Sequence, residues 1–165
     1  MTTINEDVAI LRRIPLFANI ECAKLKLLAL TSKRLSYDAN QILFLQGAEG
    51  DAAYVIIDGT ADVMVDTPQG QVSIAKAESN TVVGEIDVLY DGVRTVTVQA
   101  LTRLETLRID KDKFLKLIRQ FPDLAIEMLK VLALRLRGTS NDRDRSIPFQ
   151  RIANSTTLGQ IGALG

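Results

Sequence analysis

The spacing of apolar residues changes period twice along this chain, and that alternation constrains its fold more than any other feature. Between residues 7 and 34, apolar side chains recur at helical spacing in two pieces, Val8, Leu11 and Ile14 before Pro15, then Leu25, Leu28 and Ala29 after it. Pro15 and Phe17 mark the break between two short helices. From Leu35 to Ile109 the pattern turns into short β-type segments, at 42–45, 53–57, 61–65, 71–75, 95–100 and 105–109. Asn40, Gly47, Gly50, Gly59, Gly70 and Asn80 punctuate them, each able to take a backbone shape that bulkier residues resist. Short strands with such turns predict an antiparallel sandwich or barrel.

Helical spacing returns after Asp110, read as an N-cap, with Phe114, Leu117 and Ile118 on one face. Pro122 opens a second helix and Gly138 is read as its stop. Its apolar set, Leu124, Ala125, Met128, Leu129, Val131, Leu132 and Leu136, is broader than packing on one sheet face requires. Two readings stay open: burial against the helix's own domain, or pairing of residues 122–137 with a second copy in a homodimer. The expected organisation is one folded domain over residues 1–137 and a polar, loosely ordered tail over 138–165.

Composition bears on function mainly by exclusion. Histidine is absent, which removes Ser-His-Asp triads, histidine acid–base pairs and His-ligated metal sites together, so no enzyme, metal or cofactor is expected. Cys22 is alone, which fits a reducing, cytoplasmic setting. Lys plus Arg and Asp plus Glu both number 20, so no global field draws the chain to nucleic acid or anionic lipid. No apolar run approaches membrane-spanning length, and the tail is too short and polar to build a DNA-reading domain. Neither DNA nor membrane is an expected partner.

The candidate site lies in VVGEIDVLYDGVRTVTVQA, residues 82–100, where β-structure is interrupted by a Gly-Glu step and resumes after an arginine. Gly84 permits close backbone approach, and one helical turn over Glu85–Leu89 would aim free N–H groups at an anion. Arg94 supplies a planar fork of donors suited to two phosphate oxygens, and Glu85 can accept hydrogen bonds from a sugar hydroxyl. By chemistry alone a Glu and an Arg at this spacing also make a structural ion pair.

In order and spacing, LRRIPLF at 11–17, ILFLQGAEGDAAYVIIDGTADVMV at 42–65 and VVGEIDVLYDGVRTVTV at 82–98 resemble the cyclic nucleotide-binding domain family, which includes catabolite activator proteins and protein kinase A regulatory subunits. The resemblance covers about residues 8–140. It implies a mainly β fold, an eight-stranded jelly-roll barrel with N-terminal helices and a C-terminal helical lid, binding cyclic AMP or cyclic GMP. It assigns the ribose 2′-hydroxyl to Glu85, the cyclic phosphate to Arg94, and backbone contacts to Gly84, Glu85, Ile86 and Asp87. Thr95 falls beside the phosphate, Val63 and Ile74 in the wall of the base and ribose pocket, and Thr139 and Ser140 where a helix-end pair meets adenine. Asn40 and Asn80 stand where the family usually has Gly, Asp87 where a small neutral residue is usual, and Val96 where a smaller one is. The last two departures leave a second reading open, a fold that has lost its ligand and serves as an interaction or dimerisation module.

Overall fold

A computed structural model describes residues 3–90 and 92–141. Helix α1, Ile4–Arg12, begins at a capping box in which the Thr3 hydroxyl accepts from the Glu6 amide at 3.3 Å and the Glu6 carboxylate accepts from the Thr3 amide at 3.0 Å. Pro15 then starts a single 3-10 turn, Pro15–Phe17, and α2 covers Cys22–Thr31. Eight strands follow: β1 Ser32–Tyr37, β2 Ile42–Phe44, β3 Ala52–Asp58, β4 Ala61–Thr67, β5 Gly70–Ala77, β6 Thr81–Val83, β7 Thr97–Ala100 and β8 Leu104–Asp110, with the short helix α3, Glu85–Tyr90, between β6 and β7. Helices α4, Lys111–Gln120, and α5, Pro122–Asn141, close the described chain.

All pairings between these strands are antiparallel, and the ladders form two four-stranded sheets, β1-β8-β3-β6 and β2-β7-β4-β5. The sheets are not closed into a barrel, so the expected jelly roll takes the form of a two-sheet sandwich. Strand β3 shows why its sequence reads as a continuous apolar run. Ala53 and Val55 pack toward the helices, whereas Ala52, Tyr54 and Ile56 pack into the layer between the sheets. The helix-side core joins Leu11, Phe17, Leu25, Leu107, Phe114 and Met128, with Phe17 and Phe114 edge to face at 6.3 Å.

Asn40 and Asn80 hold φ of 74° and 68°, the left-handed conformation that Gly or Asn adopts at least cost. Asp110 occupies the N-cap position of α4 but makes no side-chain cap; its carboxylate lies 3.8 Å from Arg108 instead. Gly138 does not stop α5, which continues to Asn141, so the boundary expected at residue 138 falls inside a helix. The remainder of the expected tail, residues 142–165, lies outside the described residues. Leu124 and Met128 face the core, while Ile126, Leu129, Leu134 and Leu136 are exposed. Among the described residues, no helix is long and apolar enough to cross a membrane.

Candidate functional site

Gly84 takes φ of 81° at the junction of β6 and α3, turning the chain so that α3 starts directly on Glu85. The same glycine makes room for arginine: a Cβ at this position would sit 2.3 Å from Arg94 Nη1. Arg94 is held in place through its backbone by the loop before β3. Its amide donates to Ala48 O at 2.7 Å and its carbonyl accepts from Gly47 at 2.8 Å, beside an isolated bridge between Glu49 and Val93.

The Arg94 side chain is entirely buried. Nη1 donates to Gly84 O at 3.1 Å and to Asp87 Oδ2 at 3.3 Å; Nη2 donates to the Ala52 carbonyl and to Asp51 Oδ1 at 3.4 Å. The guanidinium carbon stands 4.0 Å from the Phe44 ring centroid. Asp51 is shared, since its Oδ2 accepts from Arg108 Nη2 at 3.2 Å. Arg94 Nε is buried with no hydrogen-bond partner.

Glu85 is 2% exposed, and it does not pair with Arg94. Its Oε1 accepts from Arg135 Nη1 of α5 at 3.0 Å, and its Oε2 is buried with no partner. Burial is the larger influence on this carboxyl and raises its pKa, with the positive charge of Arg135 offsetting only part of that. Asp87 behaves alike: burial raises its pKa and Arg94 partly opposes the shift. A cavity of about 190 Å3 lies against Glu85 and Arg135, walled by Pro15, Ala77, Asn80 and the β6 residues Thr81–Val83. It does not reach Arg94.

The structure thus joins Gly84, Asp87 and Arg94 by hydrogen bonds in one buried cluster, with Glu85 buried at the start of the same helix but held by Arg135 rather than by Arg94. Ile86 is half-buried on α3 and Thr95 half-buried beyond Arg94. Val63 is fully buried in the core between the sheets with Ile74 packed against that core, and neither lines the cavity. Val96 is buried in the same core. Thr139 and Ser140 belong to α5 by backbone, and their side chains lie outside the described residues. Four participants escaped the sequence reading: Phe44, Asp51, the Ala52 carbonyl and Arg135. A buried guanidinium requires several acceptors, but nothing in the spacing says which ones, and Arg135 reaches Glu85 across 50 positions. Among the described residues no group of three or more Cys, Asp or Glu side chains is placed to hold a metal ion.

Comparison with known proteins places the fold in a family. Residues 34–121 match the model of the cyclic nucleotide-binding domain family. The chain is 26% identical over 134 residues to the CRP-like cAMP-activated global transcriptional regulator of Mycobacterium tuberculosis, covering 81% of this chain and 60% of that protein. It is 29% identical over 110 residues to a lysophospholipase of Neurospora crassa, covering 66% of this chain but 7% of that enzyme. The chain therefore spans less than two thirds of the length of both. Among solved structures, the N-terminal domain of a transcriptional regulator from Streptomyces coelicolor superposes with a TM-score of 0.72 at 28% identity, covering 80% of this chain and 95% of that one. The catabolite activator protein of Thermus thermophilus gives 0.68 at 27% identity, covering 79% and 62%.

Proposed function

Since this chain belongs to the cyclic nucleotide-binding domain family, we propose that it is a non-catalytic receptor for a cyclic nucleotide, cyclic AMP or cyclic GMP, gripped by Glu85 and Arg94. One observation carries this reading. Among the described residues, the buried side-chain polar atoms without a partner are Glu85 Oε2 and Arg94 Nε, one acceptor and one donor on the two side chains with the chemistry for a sugar hydroxyl and a phosphate. Buried polar groups in native proteins are nearly always satisfied, so an orphan in each of two neighbouring functional side chains calls for a guest. A fold retained only for interaction has no use for such atoms, and they weigh against the ligand-free reading.

The ligand's message has a physical route to α5. Glu85 Oε1 accepts from Arg135 of that helix, so a ribose hydroxyl that donates to Glu85 bears on the same carboxylate that tethers α5. A ligand with different affinity for the two arrangements of this contact shifts the balance between them. The exposed Ile126, Leu129, Leu134 and Leu136 give α5 an apolar outer face through which a second copy or another partner would receive that shift.

Titration calorimetry of the full chain with cyclic AMP and with cyclic GMP tests the reading. It predicts single-site, saturable binding of at least one of them and a rise in melting temperature, since ligand at 100 times its Kd adds roughly 2.7 kcal/mol to stability. No heat and no thermal shift at millimolar nucleotide would contradict it.

A further inference from the structure

Resting on that reading, we propose that Asp87 is a built-in anion that occupies the Arg94 guanidinium where a cyclic phosphate would sit, so that a nucleotide enters only by displacing it. Arg94 offers its Nη1 to Asp87 Oδ2 at 3.3 Å in a pair whose two side chains are 0% and 10% exposed. The other acceptors on the guanidinium are of a different kind. The Gly84 and Ala52 carbonyls belong to the backbone of the cluster, and Asp51 is 61% exposed and shared with Arg108. Asp87 is thus the one well-buried carboxylate on Arg94 among the described residues, and it comes from α3, the segment that carries Glu85.

The fold lets Asp87 come this close and gives it a means of leaving. Gly50 lies against it, and a Cβ there would stand 2.8 Å from Asp87 Cβ. The carboxylate is under pressure where it sits, because burial disfavours its charged form and Arg94 compensates only partly. Turned outward, it regains hydration and releases one Nη1 donor of Arg94 to a phosphate oxygen, while the other Nη1 bond, to Gly84 O, stays in place. Asp87 therefore sets affinity: it is a competitor tethered to the protein, and it discriminates against guests whose anion is too weak a partner for arginine to replace it.

The test compares wild type with Asp87→Asn and Asp87→Ser by titration calorimetry with cyclic AMP and cyclic GMP, beside thermal melting of each protein without nucleotide. Removing the tethered competitor is expected to tighten binding roughly tenfold or more, the equivalent of at least one pKa unit of the Asp87–Arg94 charge interaction that the ligand no longer has to break. The same variants should melt lower without nucleotide, since Arg94 has lost a buried partner. Tighter binding together with lower intrinsic stability supports the proposal, and a role in packing alone would not produce that opposition. Equal or weaker binding in the variants, with wild type binding normally, overturns it and leaves the receptor reading intact. Binding by none of the three proteins overturns both. Failure of both variants to fold also overturns it, because a carboxylate that the fold cannot do without is not one that a ligand can displace.

Discussion

Arg94→Ala is expected to damage the fold as well as the site. The guanidinium holds the Gly84 and Ala52 carbonyls, pairs with Asp87 and Asp51, and stacks on Phe44 at 4.0 Å, all with its side chain 0% exposed. Removing one partner of a buried ion pair costs roughly 3–5 kcal/mol, because the other charge is left without compensation. Asp87 softens the loss by taking up a proton, which its raised pKa makes easier. The net expectation at pH 7 is about 3 kcal/mol. For a chain of this size each kcal/mol lowers the melting temperature by about 2–4 °C, so the variant should melt roughly 6–12 °C below wild type. Arg94→Lys keeps the charge without the planar fork and should fall between the two. Circular dichroism melts decide the matter. An Arg94→Ala protein that melts within about 2 °C of wild type would refute the claim that this arginine organises the buried cluster. Calorimetry with folded variant should then show a further loss of about 1.5–3 kcal/mol in ligand affinity, the range for a charge-assisted hydrogen bond.

Other perturbations give separate expectations. Gly84→Ala combines a φ of 81° with a Cβ 2.3 Å from Arg94 Nη1, so thermal denaturation should show a loss of about 1–2 kcal/mol from backbone strain alone and calorimetry weaker nucleotide binding. Arg135→Ala removes the cation beside buried Glu85 and should cost about 3 kcal/mol at pH 8, with the cost shrinking as the pH is lowered because the raised pKa lets Glu85 take up a proton; urea unfolding over a pH series checks this. Both Glu85 and Asp87 have pKa values raised above their ordinary 4.5 and 3.8, so the native state binds more protons than the unfolded chain. Their contribution to stability is full below those ordinary values and is lost as pH rises through the native ones. Glu85→Gln should flatten the fall in urea stability as pH rises above 4.5, and an unchanged slope would count against a buried, charge-strained Glu85.

The parts of the fold legible in the sequence are those where one face of an element is buried. Strand β3 announces itself as an apolar run because it feeds both cores, and β4, β7 and β8 show through the apolar residues, such as Val63, Val98 and Leu107, that alternate with polar ones along them. Strand β1, SKRLSY, escaped because neither of its faces is fully buried and it pairs with β8 along a sheet edge, leaving no alternation to read. Strand β6 is three residues long, too short for a period. At Gly138 a local rule lost to its context, since α5 continues through it for another turn. In the site, the spacing of Gly84, Glu85 and Arg94 was readable because all three lie within one stretch of chain. The partners that decide its electrostatics, Asp51 and Arg135, are brought in by tertiary folding from 43 and 50 positions away. Asp87 was visible as a charge in an unusual place, but its role as Arg94's own counter-ion required the structure.

The most direct test follows the Arg94 side chain during nucleotide binding by nitrogen-15 NMR. The Nε–H of Arg94 is buried and lacks an acceptor in this structure, so titration with the cyclic nucleotide that binds should move its resonance downfield as a phosphate oxygen accepts from it. An Nε–H resonance that stays in place while the protein saturates would mean the phosphate is held elsewhere, and would contradict the account.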